Sequence, residues 1–312
     1  MVLLLTHRRD EFVPDRVYAA LQHRGARPIR VDTDLFPAHA HFSLHRGPDS
    51  GILKIGADRI DLADVAAVWW RRIWPQKPPE LEEAVAMVCL LESEAMLEGL
   101  FTGLPGLRHV NHPAADRAAA SKLMQLSLAQ RVGLAVPPTL VSNDPAEIRS
   151  FVAEHPASIT KLLTVNAVQG ARAYTQRIGA TDLEDLEGLS LSPMFVQAEI
   201  PKQIELRVAV VGKQCFTGGI RAAVGAGPVD WRHPQAQGGD WEPWSLDPEI
   251  VVQLTTLVGE LGLVYGGVDL IVQPDGRVVF LEVNSFGEWG MLEHSLGLPV
   301  GDALAGALLE AV

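Results

Sequence analysis

The chain has 312 residues, 47% of them hydrophobic and 21% charged, with a formal net charge of −12. This is ordinary globular composition, long enough for one large or two to three small domains, and the negative balance argues against non-specific binding to a nucleic-acid backbone. The two cysteines, Cys89 and Cys215, lie far apart and outside any CxxC spacing, so neither a disulfide framework nor a zinc site is expected and a reducing compartment is.

"MVLLLT" reads as a buried strand, "DRVYAALQHRG" as an amphipathic helix closed by Gly25, and "PIRVDT" as a second strand. Such a β-α-β opening is typical of an open parallel sheet. The apolar run in "MVLLLTHRRDEF" is too short for a signal-peptide core and carries its charge on the wrong side. No apolar stretch reaches membrane-spanning length, so a cytoplasmic protein with no membrane partner is expected. "GILKIGADRIDL" predicts a hairpin, "VAAVWWRR" a strand ending in Arg71 and Arg72, and residues 80–101 a long helix. A helix from about Pro113 to Gly133 ends at the junction "GLAVPP". Short strands and helices alternate from Pro137 to Gln197, and the pattern turns strongly β from Ile204. A Gly/Trp/Pro-rich loop spans Val224 to Trp244, and the helix "PEIVVQLTTLVGELG" follows. "GGVDLIVQ" and "RVVFLEVN" form a hairpin across "PDG", and one terminal helix closes the chain.

The hairpin carries the chemistry. In "VVFLEVNSFGEWG" an apolar strand ends in Glu282 and Asn284, which share a face because they are two residues apart. Asp269, on the first strand, falls across from Glu282 or close to it. Three oxygen donors on one face suit Mg²⁺, which takes a few carboxylates, retains water and leaves places for phosphates. The alternative is three strand-end polar groups satisfied by loops; three on one hairpin favour the metal. Lys122 on an apolar helix and Lys161 in the strand "SITKLL" can serve as point charges on phosphate, or else occupy edge and surface positions. "TVNAVQGARAYT" after Lys161 has the small residues of a flap over phosphates. In "VQAEIPKQIELRV" backbone amides can read a purine, Glu205 can accept from ribose hydroxyls, and Arg207 can reach a terminal phosphate; a solvated edge strand with salt bridges is the competing reading. Arg71 and Arg72 either hold an acidic peptide side chain bidentately or form a structural salt bridge with the acidic helix after Pro79. Trp69, Trp70 and Trp74 read as core or interdomain packing. His39, His41 and His45 lack nearby acids and are not expected to bind metal. Asp230, Trp231 and Arg232 are candidate peptide contacts.

Taken in order, both lysines, "ELRV", "GGVDL" and "LEVN" resemble the ATP-grasp superfamily over roughly residues 105–312. "VWWRR", "NHPAADRAAASKLMQLSLAQRVGLAVPPTLVSND", "PKQIELRVAVVG" and "DWRH" extend the resemblance to the microviridin-type, graspetide-forming ligases. The resemblance implies an α/β (α+β) ATP-grasp fold, with a Rossmann-like pre-ATP-grasp domain over 1–112, a central subdomain over 113–200 and a C-terminal subdomain over 201–312. It implies ATP and Mg²⁺ as cofactors and a ribosomal precursor peptide, leader plus acidic core, as partner, with a homodimer possible. Carboxylate side chains would be activated as acyl phosphates and closed into ester or amide rings. Lys122 and Lys161 would contact the ATP phosphates. Gln197, Ala198, Glu199 and Ile200 would form the adenine hinge, with Lys202 and Glu205 near adenine and ribose. Arg207 would act at the γ-phosphoryl together with Arg221, and Asp269, Glu282 and Asn284 would hold Mg²⁺. The hinge departs from the family pattern: the acid usual directly after Gln is Ala198 here, with Glu199 next. An ATP-grasp ligase for small molecules and a non-catalytic nucleotide-binding regulator are the rival readings.

Overall fold

The computed structural model describes residues 1–44, 51–75, 78, 80–104, 106–164, 175–221 and 240–310. It opens as expected with β1 (Val2–Thr6), α1 (Phe12–His23) and β2 (Pro28–Asp32). Val13, Val17 and Leu21 recur at helical spacing and form the buried stripe of α1. Gly25 turns the chain after it at a φ of 76°, a conformation that favours glycine. The expected hairpin is β4 (Gly51–Ile55) and β5 (Asp58–Asp61), extended by an unforeseen antiparallel strand, β3 (Ala40–Leu44). His41 therefore lies on a sheet, outward from the buried Ala40 and Phe42; His45 lies outside the described residues. After β6 (Ala67–Trp70) come α2 (Glu83–Thr102) and β7 (Arg108–Val110), which completes a four-stranded sheet in the order β2-β1-β6-β7, all parallel.

The helix expected over 113–133 is two helices, α3 (Pro113–Ala119) and α4 (Lys122–Arg131). Ser121 breaks it: extended there, its hydroxyl accepts from the Met124 amide and caps α4. Next come β8 (Thr139–Ser142), α5 (Pro145–Glu154), β9 (Ser158–Thr160), β10 (Gln176–Arg177) and β11 (Met194–Ala198), an antiparallel sheet ordered β10-β9-β11-β8. The last sheet holds β12 (Ile204–Val211), β13 (Gln214–Arg221), β14 (Glu242–Pro243), β15 (Tyr265–Val272) and β16 (Val278–Asn284), in the order β14-β13-β12-β15-β16. Helix α6 (Pro248–Glu260) packs on it. The terminal helix is likewise two, α7 (Gly290–Leu296) and α8 (Val300–Leu309), separated by Gly297 at a φ of 66°. Among the described residues no helix is long and apolar enough to cross a membrane.

Side chains alternate across β1, so the parallel sheet feeds two cores. Leu3 and Leu5 pack with Trp70, Phe101 and the hairpin sheet. Val2 and Leu4 pack with Trp69, Ala209, Tyr265, Trp289 and Leu304, so one core is built jointly from both ends of the chain. Burying one such side chain is worth about 1.5–3 kcal/mol. Across the same seam the exposed pair Arg24–Asp302 contributes about 0–1 kcal/mol, and Arg16 bonds to the largely buried Glu293, so packing dominates. Trp69 and Trp70 are thus packing residues as expected, whereas Trp74 is 61% exposed, edge-on to His7.

A buried amide completes the seam. Asn111 accepts from the Val264 and Tyr265 amides at 2.8 and 2.9 Å and donates to the Tyr265 carbonyl at 2.9 Å. Asn111→Ala leaves these groups without partners at roughly 1–3 kcal/mol each; we expect a loss of about 3 kcal/mol or more, measured by urea unfolding. His109, on β7, accepts from the Trp70 indole through Nδ1 at 2.9 Å, and burial lowers its pKa from 6.5 to about 4. Its folded pKa lies below the unfolded one, so this contribution is full above pH 6.5 and is lost as pH falls towards about 4. The thermal midpoint of His109→Gln should therefore change less than that of the wild type across this window.

Candidate functional site

The β15–β16 hairpin is not a regular ladder. Asp269 pairs with Glu282 and Gly267 with Asn284, but Leu270 pairs with Phe280, leaving Leu281 as the extra residue of a bulge. Val268, Leu270, Phe280 and Val283 all enter one hydrophobic core. The bulge lets Phe280 and Val283, three apart, both face that core, and so aims Glu282 and Asn284 to the other side with Asp269.

Among the described residues three cations converge on these oxygens. Lys122 Nζ lies 3.7 Å and Lys161 Nζ 3.9 Å from Glu282 Oε2. Lys122 is the first residue of α4, against the helix dipole; a helix start bearing a lysine suits an anion from outside the helix. Lys161 stands one residue beyond β9 rather than within a strand, with its ammonium 5.1 Å from the Phe195 ring centroid. Arg207, on β12 across from Asp269, donates to its Oδ1 at 2.6 Å and to the Glu288 carbonyl at 3.0 Å. Burial works against the Arg207 charge, but the Asp269 carboxylate offsets this and raises its pKa above the ordinary value. Two glycines make its space: a Cβ on Gly267 would lie 2.8 Å from the guanidinium, and one on Gly287 closer still.

The Asn284 amide NH₂ bridges the two carboxylates, at 3.3 Å from Asp269 and 3.1 Å from Glu282. A cation would occupy that place, and the amide turned over presents its carbonyl oxygen there. Among the described residues no three His, Cys, Asp or Glu side chains group together. The donor set is two carboxylates and one amide, which fits Mg²⁺ completed by water and phosphate better than a closed protein cage.

The remaining candidates sit as follows. Gln197 is buried on β11 and donates to the Thr139 hydroxyl at 2.8 Å. The Ala198 and Glu199 amides bond to the Pro138 and Ala157 carbonyls, so a base contact at these two positions falls to their carbonyls. Ile200 follows directly. The Glu199 carboxylate is held bidentately by Arg177 at 2.8 and 2.7 Å, which settles where its side chain goes. Lys202 and Glu205 pair at 2.6 Å. Arg221, exposed at the end of β13, stands opposite Ile204, three residues beyond Gly218, the partner of Arg207. The register does not bring it into the cluster.

The salt-bridge reading of Arg71 and Arg72 holds with different partners. Arg71, 2% exposed, bonds to Asp10 at 3.2 Å, to the Phe286 carbonyl at 2.9 Å and to Glu288 at 2.6 Å. Arg72 meets Glu288 at 3.3 Å and Asp10 at 3.9 Å. The partners are thus two loop acids and not the helix after Pro79, because the C-terminal end of β6 faces the loop that follows Asn284. Asp230, Trp231 and Arg232, most of the expected flap after Lys161 and most of the Val224–Trp244 loop lie outside the described residues. Both cysteines are free, and burial pushes the Cys215 thiol up to about 11, so it is not a ready nucleophile.

Sequence reasoning missed Glu288, Asp10, Phe195, Asn111 and Gln125. The glycines of "YGG" and "SFGEWG" were the visible signal of close packing around Arg207; nothing in the local pattern marked the two amides.

Two family models match the chain: the MvdD pre-ATP grasp domain over residues 1–117 and the RimK-like ATP-grasp domain over residues 119–308. The crystal structure of macrocyclase MdnC bound with precursor peptide MdnA, from Microcystis aeruginosa MRC, is 35% identical with a TM-score of 0.90, covering 99% of both chains. The macrocyclase MdnB from the same organism is 40% identical with a TM-score of 0.84, covering 99% of this chain and 98% of that one. A glutathione synthetase from Rhodopseudomonas palustris is 30% identical over 188 residues, 58% of this chain; the chain spans only 57% of that relative's length.

Gly287→Ala should push the Arg207 guanidinium off Asp269. We expect about a 100-fold loss of turnover, the scale on which a 1 Å misplacement acts, measured as nucleotide hydrolysis or ligation. Gly99→Ala, where an added methyl meets nothing within 4 Å, should leave turnover unchanged.

Proposed function

The chain belongs to the RimK-like ATP-grasp family, with a pre-ATP-grasp domain ahead of the ATP-grasp domain, and from that premise we propose that it is an ATP-dependent ligase that closes rings in a ribosomal precursor peptide. An Asp or Glu side chain of the peptide attacks the γ-phosphoryl of ATP, giving an acyl phosphate and ADP. A hydroxyl or amine of the same peptide then attacks the acyl carbon and expels phosphate, leaving an ester or amide.

Lys122 and Lys161 take phosphate oxygens as point charges. Arg207 adds a fixed positive charge toward the γ-phosphoryl end. Asp269, Glu282 and Asn284 hold Mg²⁺, which when bound neutralises charge on the phosphates. The Gln197–Ile200 segment lines the base, and Lys202 with Glu205 faces the ribose. Arg72, partly exposed beside Glu288, is the arginine open to a peptide carboxylate, while Arg71 holds the wall behind it. The first step needs positioning and charge neutralisation rather than a protein nucleophile.

The observation that carries this reading is the meeting of two carboxylates, one amide and three cations on the bulged hairpin. The macrocyclases cover the whole chain, N-terminal sheet included, whereas the glutathione synthetase match covers 58%, which favours a peptide over a small-molecule substrate.

Co-expression with a candidate precursor, followed by intact mass, tests it. The expected result is a loss of about 18 Da per ring, the water removed by condensation after phosphoryl transfer, and none with Glu282→Gln. An unchanged peptide alongside ATP hydrolysis that depends on free amino acids would transfer the assignment to a small-molecule ligase.

A further inference from the structure

Among the described residues strand β16 is the outer strand of its sheet, and no strand pairs with its edge away from β15. Two groups take that place. The Phe280 amide donates to the Ala135 carbonyl at 2.8 Å. The side chain of Gln125, 3% exposed on α4, then does for Val283 what a strand would do. Its Oε1 accepts from the Val283 amide at 2.8 Å, and its Nε2 donates to the Val283 carbonyl at 2.8 Å and to the Ala119 carbonyl at 2.7 Å.

Val283 is the residue between Glu282 and Asn284. Its side chain enters the core, so the tilt of its two peptide planes decides where the flanking side chains point. Support is most needed here, because the bulge at Leu281 interrupts the ladder on the inner side of the same strand. Gln125 is also three residues after Lys122, so the two share a face of α4. One turn of helix thus presents the ammonium that meets Glu282 and the amide that fixes the strand bearing Glu282.

We propose that Gln125 is a positioning residue for the metal centre: it fixes Glu282 and Asn284 through the Val283 peptide groups and sets their spacing from Lys122. This rests on the assignment of Asp269, Glu282 and Asn284 to Mg²⁺ and is independent of the peptide substrate.

The test uses the full chain and a fluorescent ADP analogue, titrated with Mg²⁺ and also bound without it. Gln125→Met keeps the length and removes all three bonds. It should raise the Mg²⁺ midpoint about tenfold, as loss of groups that orient metal ligands does, while metal-free nucleotide affinity stays within about twofold. Leu128→Ala, a core truncation on the same helix, should lower the unfolding midpoint without moving the Mg²⁺ midpoint. Gln125→Glu, which keeps the acceptor for the Val283 amide and loses both donated bonds, carries the same reading if Gln125→Met does not fold. Equal weakening with and without Mg²⁺, or equal Mg²⁺ shifts in Leu128→Ala and the Gln125 variant, overturns the inference. Glu282→Gln is the internal control. If it moves the Mg²⁺ midpoint and the Gln125 variants do not, Gln125 has only a structural role. If Glu282→Gln also leaves the midpoint unchanged, the metal assignment fails and the inference falls with it.

Discussion

Asp269 and Glu282 face each other directly across two hydrogen-bonded strands. Like charges so placed are destabilising, the more so at partly buried positions. Much of the surrounding structure offsets that repulsion. The Asn284 amide bridges the pair, Arg207 bonds to one carboxylate, and two lysines approach the other. The cations come from three separate places: the start of α4, the end of β9 and the middle of β12. Among the described residues three cations meet two carboxylates, a positive excess of the kind that draws in a polyanion.

Glu288 links this centre to the N-terminal sheet. Its carbonyl accepts from Arg207 and its carboxylate accepts from Arg71 and Arg72. A pair as buried as Arg71 and Asp10 adds little net stability while both partners are present, but removing one leaves a stranded charge at a cost of several kcal/mol. The arrangement is therefore better understood as fixing geometry. It places the C-terminal ends of the parallel strands, where ligands gather in open α/β sheets, beside the loop that follows Asn284.

What could be read from the sequence was whatever depends on local period and residue type. The β-α-β opening, the shared face of Glu282 and Asn284, and the pairing of Asp269 with Glu282 followed from strand alternation and a short turn. The reading failed where a distant group decided the outcome. The break between α3 and α4 depends on Ser121 acting as a cap, and β3 depends on a hairpin partner. The salt-bridge partners of Arg71 and Arg72 lie some 60 and 217 residues away in sequence. Gln125 looks like any polar residue on a helix until β16 is laid against it. Arg221 is the converse case: its residue type fits the chemistry, and the strand register places it opposite Ile204, apart from Arg207.

The core that joins Val2, Leu4, Val17 and Leu21 to Ala209, Tyr265, Trp289 and Leu304 gives the two matched family segments a single thermodynamic fate. Separated near their junction, each would expose its half of that core to water, so neither half is a free-standing module. By contrast, Ile148, Val152, Ile178, Leu186, Leu189 and Val196 form a small core of their own around α5 and β11. Sub-global opening should therefore divide the molecule in an order that does not follow the chain. The segment around α5 and β11 should open first, carrying Lys161 away from Glu282, while the two ends stay together and keep Asp269, Glu282 and Asn284 in place.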